Sequence, residues 1–368
     1  GLEALHSAPL HCPPHRLHYL ARVRALLPRM ERPVVAVIGG GIAGVTAARR
    51  LSAQSVQVTL YERSGALGGR LGSVSVAGRS VGSAAVYVKP KHPLFLAQIE
   101  RWVGEGRVAE WEVGTPGMIS NGQWKPMECK APGEKWYVGQ PGMSSIADVS
   151  PDSGEALEII FEEVTSMGRQ GSRWLLNGTR EFDFVIAALP VAQLSKLLPA
   201  QQLQELLPQQ VLSADFEKLR ISYSAVFESS IDVPWRIAFT EGSPISLVLN
   251  DSSRHGAAQD GHEAWVAQTT TEWALAQVQA GATDAELAET LHSEFARLLG
   301  VDLPRRVDHT VTRWWYGDGD YAVEGGCAWQ PELRLALAGD WCYNGRVEGA
   351  WLSGHSSAER VREALAVP

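Results

Sequence analysis

The chain has 368 residues, 45% of them hydrophobic and 20% charged, which is material for two or three domains with their own cores. A net charge of -8 argues against a nucleic-acid partner, because phosphate-backbone binding needs clustered Lys and Arg. No apolar run reaches the roughly 18 residues of a membrane span. The four cysteines (Cys12, Cys129, Cys327 and Cys342) form neither a CxxC pair nor a disulfide framework, which fits a reducing, cytoplasmic setting without a metal site.

Residues 1–29 stand apart, with four histidines, four arginines, Pro13-Pro14 and a single acid, Glu3. They read as an extension outside the fold, with Met30 shortly before the first strand. Residues 33–38 (PVVAVI) are a short, β-branched apolar run, as in a strand buried on both faces of a parallel sheet. Glycines 39–41 end it, residues 43–53 read as a helix, and 56–61 (VQVTLY) form a second strand closing on Glu62. Further on, 158–166 and 173–176 alternate like antiparallel strands, and 182–188 (FDFVIAA) read as a buried strand stopped by Pro190. Residues 201–207 and 283–299 read as helices, the second opened by the capping-box spacing of Thr283 and Glu286. Strands broken by Pro234 and Pro244 occupy 227–249, a last buried strand lies at 333–338, and a helix follows from about 349 to 365.

Gly39-Gly40-Gly41-Ile42-Ala43-Gly44 fits GxGxxG, with glycines at 39, 41 and 44. In that pattern the first glycine makes a tight turn, the second lets backbone approach a pyrophosphate, and the third packs helix against strand. The pyrophosphate sits at the helix N-terminus, where free N–H groups and the helix dipole favour negative charge. A strand before, a helix after and Glu62 about 20 residues on give the motif its context; Glu62 is the candidate ribose ligand.

The run Glu62-Arg63-Ser64-Gly65-Ala66-Leu67-Gly68-Gly69-Arg70 resembles the acid-x5-GGR segment of flavoproteins of the amine-oxidase superfamily. Gly339-Asp340 after a buried strand, then Arg346-Val347-Glu348-Gly349-Ala350 opening a helix, resembles the same superfamily's C-terminal flavin motif. Val164 matches the strand whose backbone meets adenine there, although a core valine reads equally well. The resemblance implies FAD as cofactor, with Gly68 and Gly69 near the pyrophosphate, Arg70 reaching the phosphates or the flavin, and Asp340 near the ribityl chain.

More narrowly, residues 136–146 (WYVGQPGMSSI), 231–235 (IDVPW), 313–316 (RWWY) and 339–354 resemble bacterial renalase-like proteins. That resemblance implies an α/β, two-domain flavoprotein: a Rossmann-type FAD domain on a parallel sheet, from 31–83, 144–190 and 331–368, and a substrate domain on a mixed, largely antiparallel sheet, from 84–143 and 191–330. It also implies a reaction, the oxidation of dihydropyridine isomers of NAD(P)H reduced at the 2- or 6-position. Hydride passes to flavin N5, and dioxygen then takes the electrons as hydrogen peroxide. Such a donor needs no general base, because its product is an aromatic pyridinium, and catalysis comes from placement in a dry pocket.

The candidate pocket residues are Val86, Tyr87, Gln268, Arg313, Trp314 and Tyr316, with Trp265, Trp273 and Trp315 readable as pocket or as core. Arg313 reads either as a phosphate ligand or as the partner of an acid. Ala84 and Val86 stand where the family has Gly and Gln, and Gln268 where it has His, so these positions are expected to shift substrate preference. Ser55 departs from a family Gly between helix and strand. Competing readings are another flavin reaction, such as amine oxidation or desaturation, an FAD-binding protein with little turnover, and an NAD-dependent dehydrogenase.

Overall fold

The computed structural model describes residues 32–54, 56–127, 133–149, 156–212, 218–254, 261–315 and 321–366. The extension 1–29, Ser55, Tyr316, Cys12 and Cys129 lie outside these residues.

The apolar run behind the glycine cluster forms strand Val34–Ile38, the centre of a six-stranded sheet. Its β-branched side chains face both ways. Val35 and Val37 pack on helices Ile42–Ser52 and Arg346–Ala366, while Ala36 and Ile38 pack into a second cluster with Val185, Leu194 and Trp341. In order, the sheet is Ala328–Gln330, Leu335–Leu337, Phe184–Ala187, Val34–Ile38, Gln57–Tyr61 and Leu157–Ile160. Every neighbour pairs in parallel except Ala328–Gln330 with Leu335–Leu337. The two helices cross closely because Gly354 carries no side chain; a Cβ there would overlap the Ala43 carbonyl oxygen.

A second, seven-stranded sheet runs Arg306–Trp314, Arg220–Phe227, Glu263–Thr269, Ile245–Asn250, Ile237–Glu241, Gly117–Ser120 and Gln123–Pro126. It is antiparallel apart from the pairing of Ile237–Glu241 with Gly117–Ser120. Along Arg220–Phe227 the side chains alternate. Ile221, Tyr223 and Ala225 pack, with Leu291 and Phe295, under helix Asp284–Leu299, while Ser222 turns to the first sheet's side and bonds the Ser83 carbonyl. The capping box expected at Thr283 and Glu286 is present in both directions.

Two expectations are corrected. Residues 158–166 do not form an antiparallel strand: Leu157–Ile160 is the parallel edge of the six-stranded sheet, and 161–166 carry no regular element. A half-covered edge strand alternates whichever way its neighbour runs, so the pattern carried no orientation. The run 182–188 is also not one strand. Phe182 ends Arg180–Phe182 in a small ladder against Trp174, and the central strand is Phe184–Ala187.

Candidate active site

Between the two sheets lies a cleft of about 1570 Å³. A single small ligand fills roughly 300–1,000 Å³, so this volume has room for a dinucleotide-sized cofactor and a second molecule. One end is built by the glycine turn. Gly39 has a left-handed φ of 103° with its α-hydrogen against the Ala188 carbonyl, and a Cβ on Gly44 would overlap the Gly39 carbonyl oxygen. Gly41 differs, because a Cβ there would meet nothing within 4 Å. That open space above the N-terminus of helix Ile42–Ser52 is the place where a phosphate can approach backbone.

The Glu62 carboxylate closes the turn, accepting from Gly40 N (2.7 Å) and from Ser64 N (2.7 Å). Glu62 also lines the cleft, together with Arg63, Glu163 and Val164. Arg63 sits beside Glu163 at 3.7 Å in an exposed pair. Gly68 and Gly69 take left-handed φ values of 112° and 53°, which lets the loop lie on the first turn, with Gly68 N donating to the Gly40 carbonyl (2.8 Å). The next residue, Arg70, reaches across the cleft to Asp340, Nη2 to Oδ1 2.6 Å.

The C-terminal turn is tight. Asn344, Gly345 and Arg346 all have left-handed φ (58°, 72° and 66°), and Gly345 N donates to the Asp340 carbonyl (2.9 Å). Gly349 is required because a Cβ would overlap the Tyr343 carbonyl oxygen. Val347 and Ala350 line the cleft from the first turn of helix Arg346–Ala366. Glu348 also lines it, but its carboxylate is used on backbone, accepting from Lys91 N (2.6 Å) and His92 N (3.0 Å). Through Oε2 it fastens the segment before helix Pro93–Gly104.

Val86, Tyr87, Gln268, Arg313 and Trp314 all line the far end of the cleft, as does Trp315, which is 41% exposed. Three expectations change in detail. Gln268 has no free amide donors; Nε2 donates to the carbonyls of Ser83 (2.9 Å) and Ala84 (2.6 Å). Arg313 pairs with Asp284 and donates to the Ala282 carbonyl (3.1 Å), so it braces helix Asp284–Leu299. Trp265 and Trp273 are not cleft residues. Trp265 is fully buried under that helix, and Trp273 packs on the same core.

Several cleft-lining residues escaped the sequence reading. Lys89 lines the cleft 4.4 Å above the Trp136 ring and pairs with Glu134 (2.6 Å), and Trp136 in turn lies 4.4 Å from Tyr87. Arg220 and Ser222 line the cleft from the polar positions of their strand, a period-2 signal open to inspection in RISYS. No His or Cys lines the cleft among the described residues. Cys342 is buried beside Asp340 and its thiol is pushed well up by desolvation, and the Cys327 thiol rises to about 11 for the same reason. Neither is a nucleophile. Among the described residues no cluster of three metal-ligating side chains occurs, and no helix is long and apolar enough to cross a membrane.

This geometry fits an FAD cradle: an open glycine turn, an acid beside it, a second glycine loop against the first, and a helix N-terminus at the opposite wall. Comparisons with known proteins agree. Residues 37–97 match the model of an NAD(P)-binding Rossmann-like domain, and residues 139–362 match that of flavin containing amine oxidoreductases. Among solved structures, a protein from Exiguobacterium sp. 255-15 proposed to be a protoporphyrinogen oxidase superposes with a TM-score of 0.72 at 13% identity, over 91% of this chain and 99% of that one. Putrescine oxidase bound to putrescine gives 0.63 at 14% identity, over 91% and 99%. An oxidoreductase from Methanosarcina mazei gives 0.65 at 14%, over 89% and 100%. A short stretch of 41 residues is 61% identical to the carotenoid phi-ring synthase of Streptomyces griseus, spanning 11% of this chain and only 8% of that protein. The chain belongs to the flavin containing amine oxidoreductase family and is an FAD-dependent oxidoreductase.

Proposed function

We propose that this protein oxidises dihydropyridine isomers of NAD(P)H, those reduced at the 2- or 6-position, to NAD(P)+. FAD held in the cradle would supply the two-electron chemistry, with dioxygen as the final acceptor. In this reading Gly39, Gly41, Gly44, Glu62, Gly68, Gly69, Arg70, Asp340 and Gly349 hold the cofactor, and the chain divides into cofactor segments 31–83, 144–190 and 331–368 around substrate segments 84–143 and 191–330.

The observation that carries the reading is the make-up of the substrate end. Lys89 lies over the Trp136 ring and lines the cleft together with Arg220, Tyr87 and Trp314, and the nearby carboxylate, Glu134, is already bound to Lys89. An ammonium substrate would meet a cation there, whereas a planar ring carrying phosphates gains both stacking and charge. With no His or Cys lining the cleft among the described residues, these residues orient and desolvate a donor and do not take a proton from it. That is all a dihydropyridine requires, because losing hydride makes its ring aromatic.

The test is spectroscopic. The yellow protein, mixed anaerobically with 2- and 6-dihydro-NAD isomers, should bleach promptly, then recover its colour and form peroxide when air is admitted. A protein that stays yellow with these isomers but bleaches with a primary amine would sink the reading in favour of amine oxidation.

A further inference from the structure

Residues Ala84–Val88 line the cleft, and the substrate side grips the segment Gly82–Val88 with a concentration of buried polar groups. Asp251 Oδ1 accepts from Gly82 N (3.1 Å), and Ser222 Oγ and Gln268 Nε2 both donate to the Ser83 carbonyl. The same Gln268 amide donates to the Ala84 carbonyl (2.6 Å), and Arg254 Nη1 donates to that of Val86 (2.7 Å) while its Nη2 holds Asp251. Asp251, Arg254, Ser222 and Gln268 are each no more than 6% exposed. Burying such groups costs free energy that an apolar sheet face would not, so their concentration on one strap is an instrument of placement and not of stability.

The Ala84–Ala85 peptide shows what is placed. In a trans peptide the C=O and N–H point in opposite directions. Here the oxygen is held by Gln268 and the N–H of Ala85 donates to the Arg70 carbonyl (3.0 Å). Arg70 in turn pairs with Asp340 (2.6 Å). One chain of hydrogen bonds therefore runs from the substrate sheet, through a single peptide plane, to the glycine-arginine loop and the C-terminal turn on the two walls of the cofactor cradle. Hydrogen bonds in such a chain polarise and orient one another.

We propose that Gln268 is a positioning residue for the cofactor: its amide fixes the Ala84–Ala85 peptide, and through it the Arg70 backbone, so that the substrate sheet sets the geometry of the FAD cradle. The inference rests on FAD binding alone and stands apart from the identity of the substrate.

The experiment measures FAD affinity of the full-length apoprotein by quenching of flavin fluorescence between pH 5 and 8, for wild type, Gln268→Leu and Gln268→Glu. Losing the amide donors should weaken FAD binding about tenfold in Gln268→Leu at every pH. In Gln268→Glu a carboxylate would face two carbonyl oxygens at pH 8, whereas the protonated acid at low pH can donate again. Its affinity, relative to wild type at the same pH, should therefore be weak at pH 8 and recover on acidification. A side chain that merely fills space would show no such recovery. A folded Gln268→Leu protein binding FAD within twofold of wild type would overturn the proposal. So would a Gln268→Glu protein whose affinity relative to wild type is the same at both ends of the pH range.

Discussion

Arg70 and Asp340 are 270 positions apart in the chain, yet their side chains meet at 2.6 Å across the cofactor cleft. The pair joins the N-terminal glycine loop to the C-terminal turn, and the Asp340 side is buried while the Arg70 side is a third exposed. Asp340→Asn keeps the shape and removes the charge. We expect FAD affinity to fall by about tenfold, or ~1–2 kcal/mol after solvent screening on the Arg70 side, with little change in the fold. Equilibrium dialysis of FAD with circular dichroism of the apoprotein checks both.

Two glycines of the first turn should behave oppositely. Gly44→Ala drives a Cβ into the Gly39 carbonyl oxygen, so the apoprotein should lose about 3 kcal/mol or more. Gly41→Ala meets no protein atom within 4 Å, so the apoprotein should melt within about 1 °C of wild type. Its FAD affinity should nevertheless drop at least about tenfold, because the new methyl occupies the space a phosphate approaches. Thermal melts with and without FAD separate the two.

Lys89 provides a test of the substrate reading. Lys89→Gln removes the cation over Trp136 and leaves Glu134 without its partner. For a dihydropyridine nucleotide KM should rise about five- to tenfold, with kcat changed less than about threefold, because the group binds substrate and moves no proton. A primary amine substrate would be helped by the same change. Steady-state peroxide assays with each substrate decide the matter.

A pH dependence follows from the far side of the substrate sheet. Tyr223 Oη lies 2.9 Å from His292 Nδ1 and accepts from Arg306 Nη1 (3.1 Å). Burial lowers the His292 pKa, with Arg306 and His309 acting the same way against Glu289, and burial pushes Tyr223 up to about 12. His355 is lowered likewise, first by burial and then by Arg50. A histidine with a depressed folded pKa contributes fully above the unfolded value near 6.5, and that contribution is lost as pH falls through the folded value. The apoprotein's Tm should therefore fall between pH 7 and 5. His292→Gln should flatten part of that fall, by less than about 3 °C, since the ring is half-exposed. Calorimetry across the range provides the check.

The cofactor end was legible because its signals are local. A β-branched run stopped by glycines, a helix, and an acid about twenty residues on all fall within one βαβ unit, and the structure sets Val34–Ile38, Ile42–Ser52 and Gln57–Tyr61 there. Helix Pro93–Gly104 went unread although Pro93 opens it and Phe95, Ile99 and Trp102 mark its buried face at helical spacing. The role of Gln268 had no local signal at all. Its partners lie 185 and 184 positions earlier, and a lone glutamine in a strand reads the same whether it meets a ligand or a backbone carbonyl. For Arg313 the sequence left two readings open, and the structure supplies the acid partner, Asp284, from another element.

The six-stranded sheet has a consequence for how the protein is born. Its central strand, Val34–Ile38, is flanked on one side by Phe184–Ala187 and then by Leu335–Leu337, and helix Ile42–Ser52 is roofed by the helix that carries Gly354. A ribosome delivering this chain from its N-terminus exposes the phosphate-binding turn long before Asp340 and Arg346–Ala366 emerge to complete the opposite wall. A nascent chain thus has no finished cradle until strand Leu335–Leu337 and helix Arg346–Ala366 have joined the strand and turn made some 300 residues earlier.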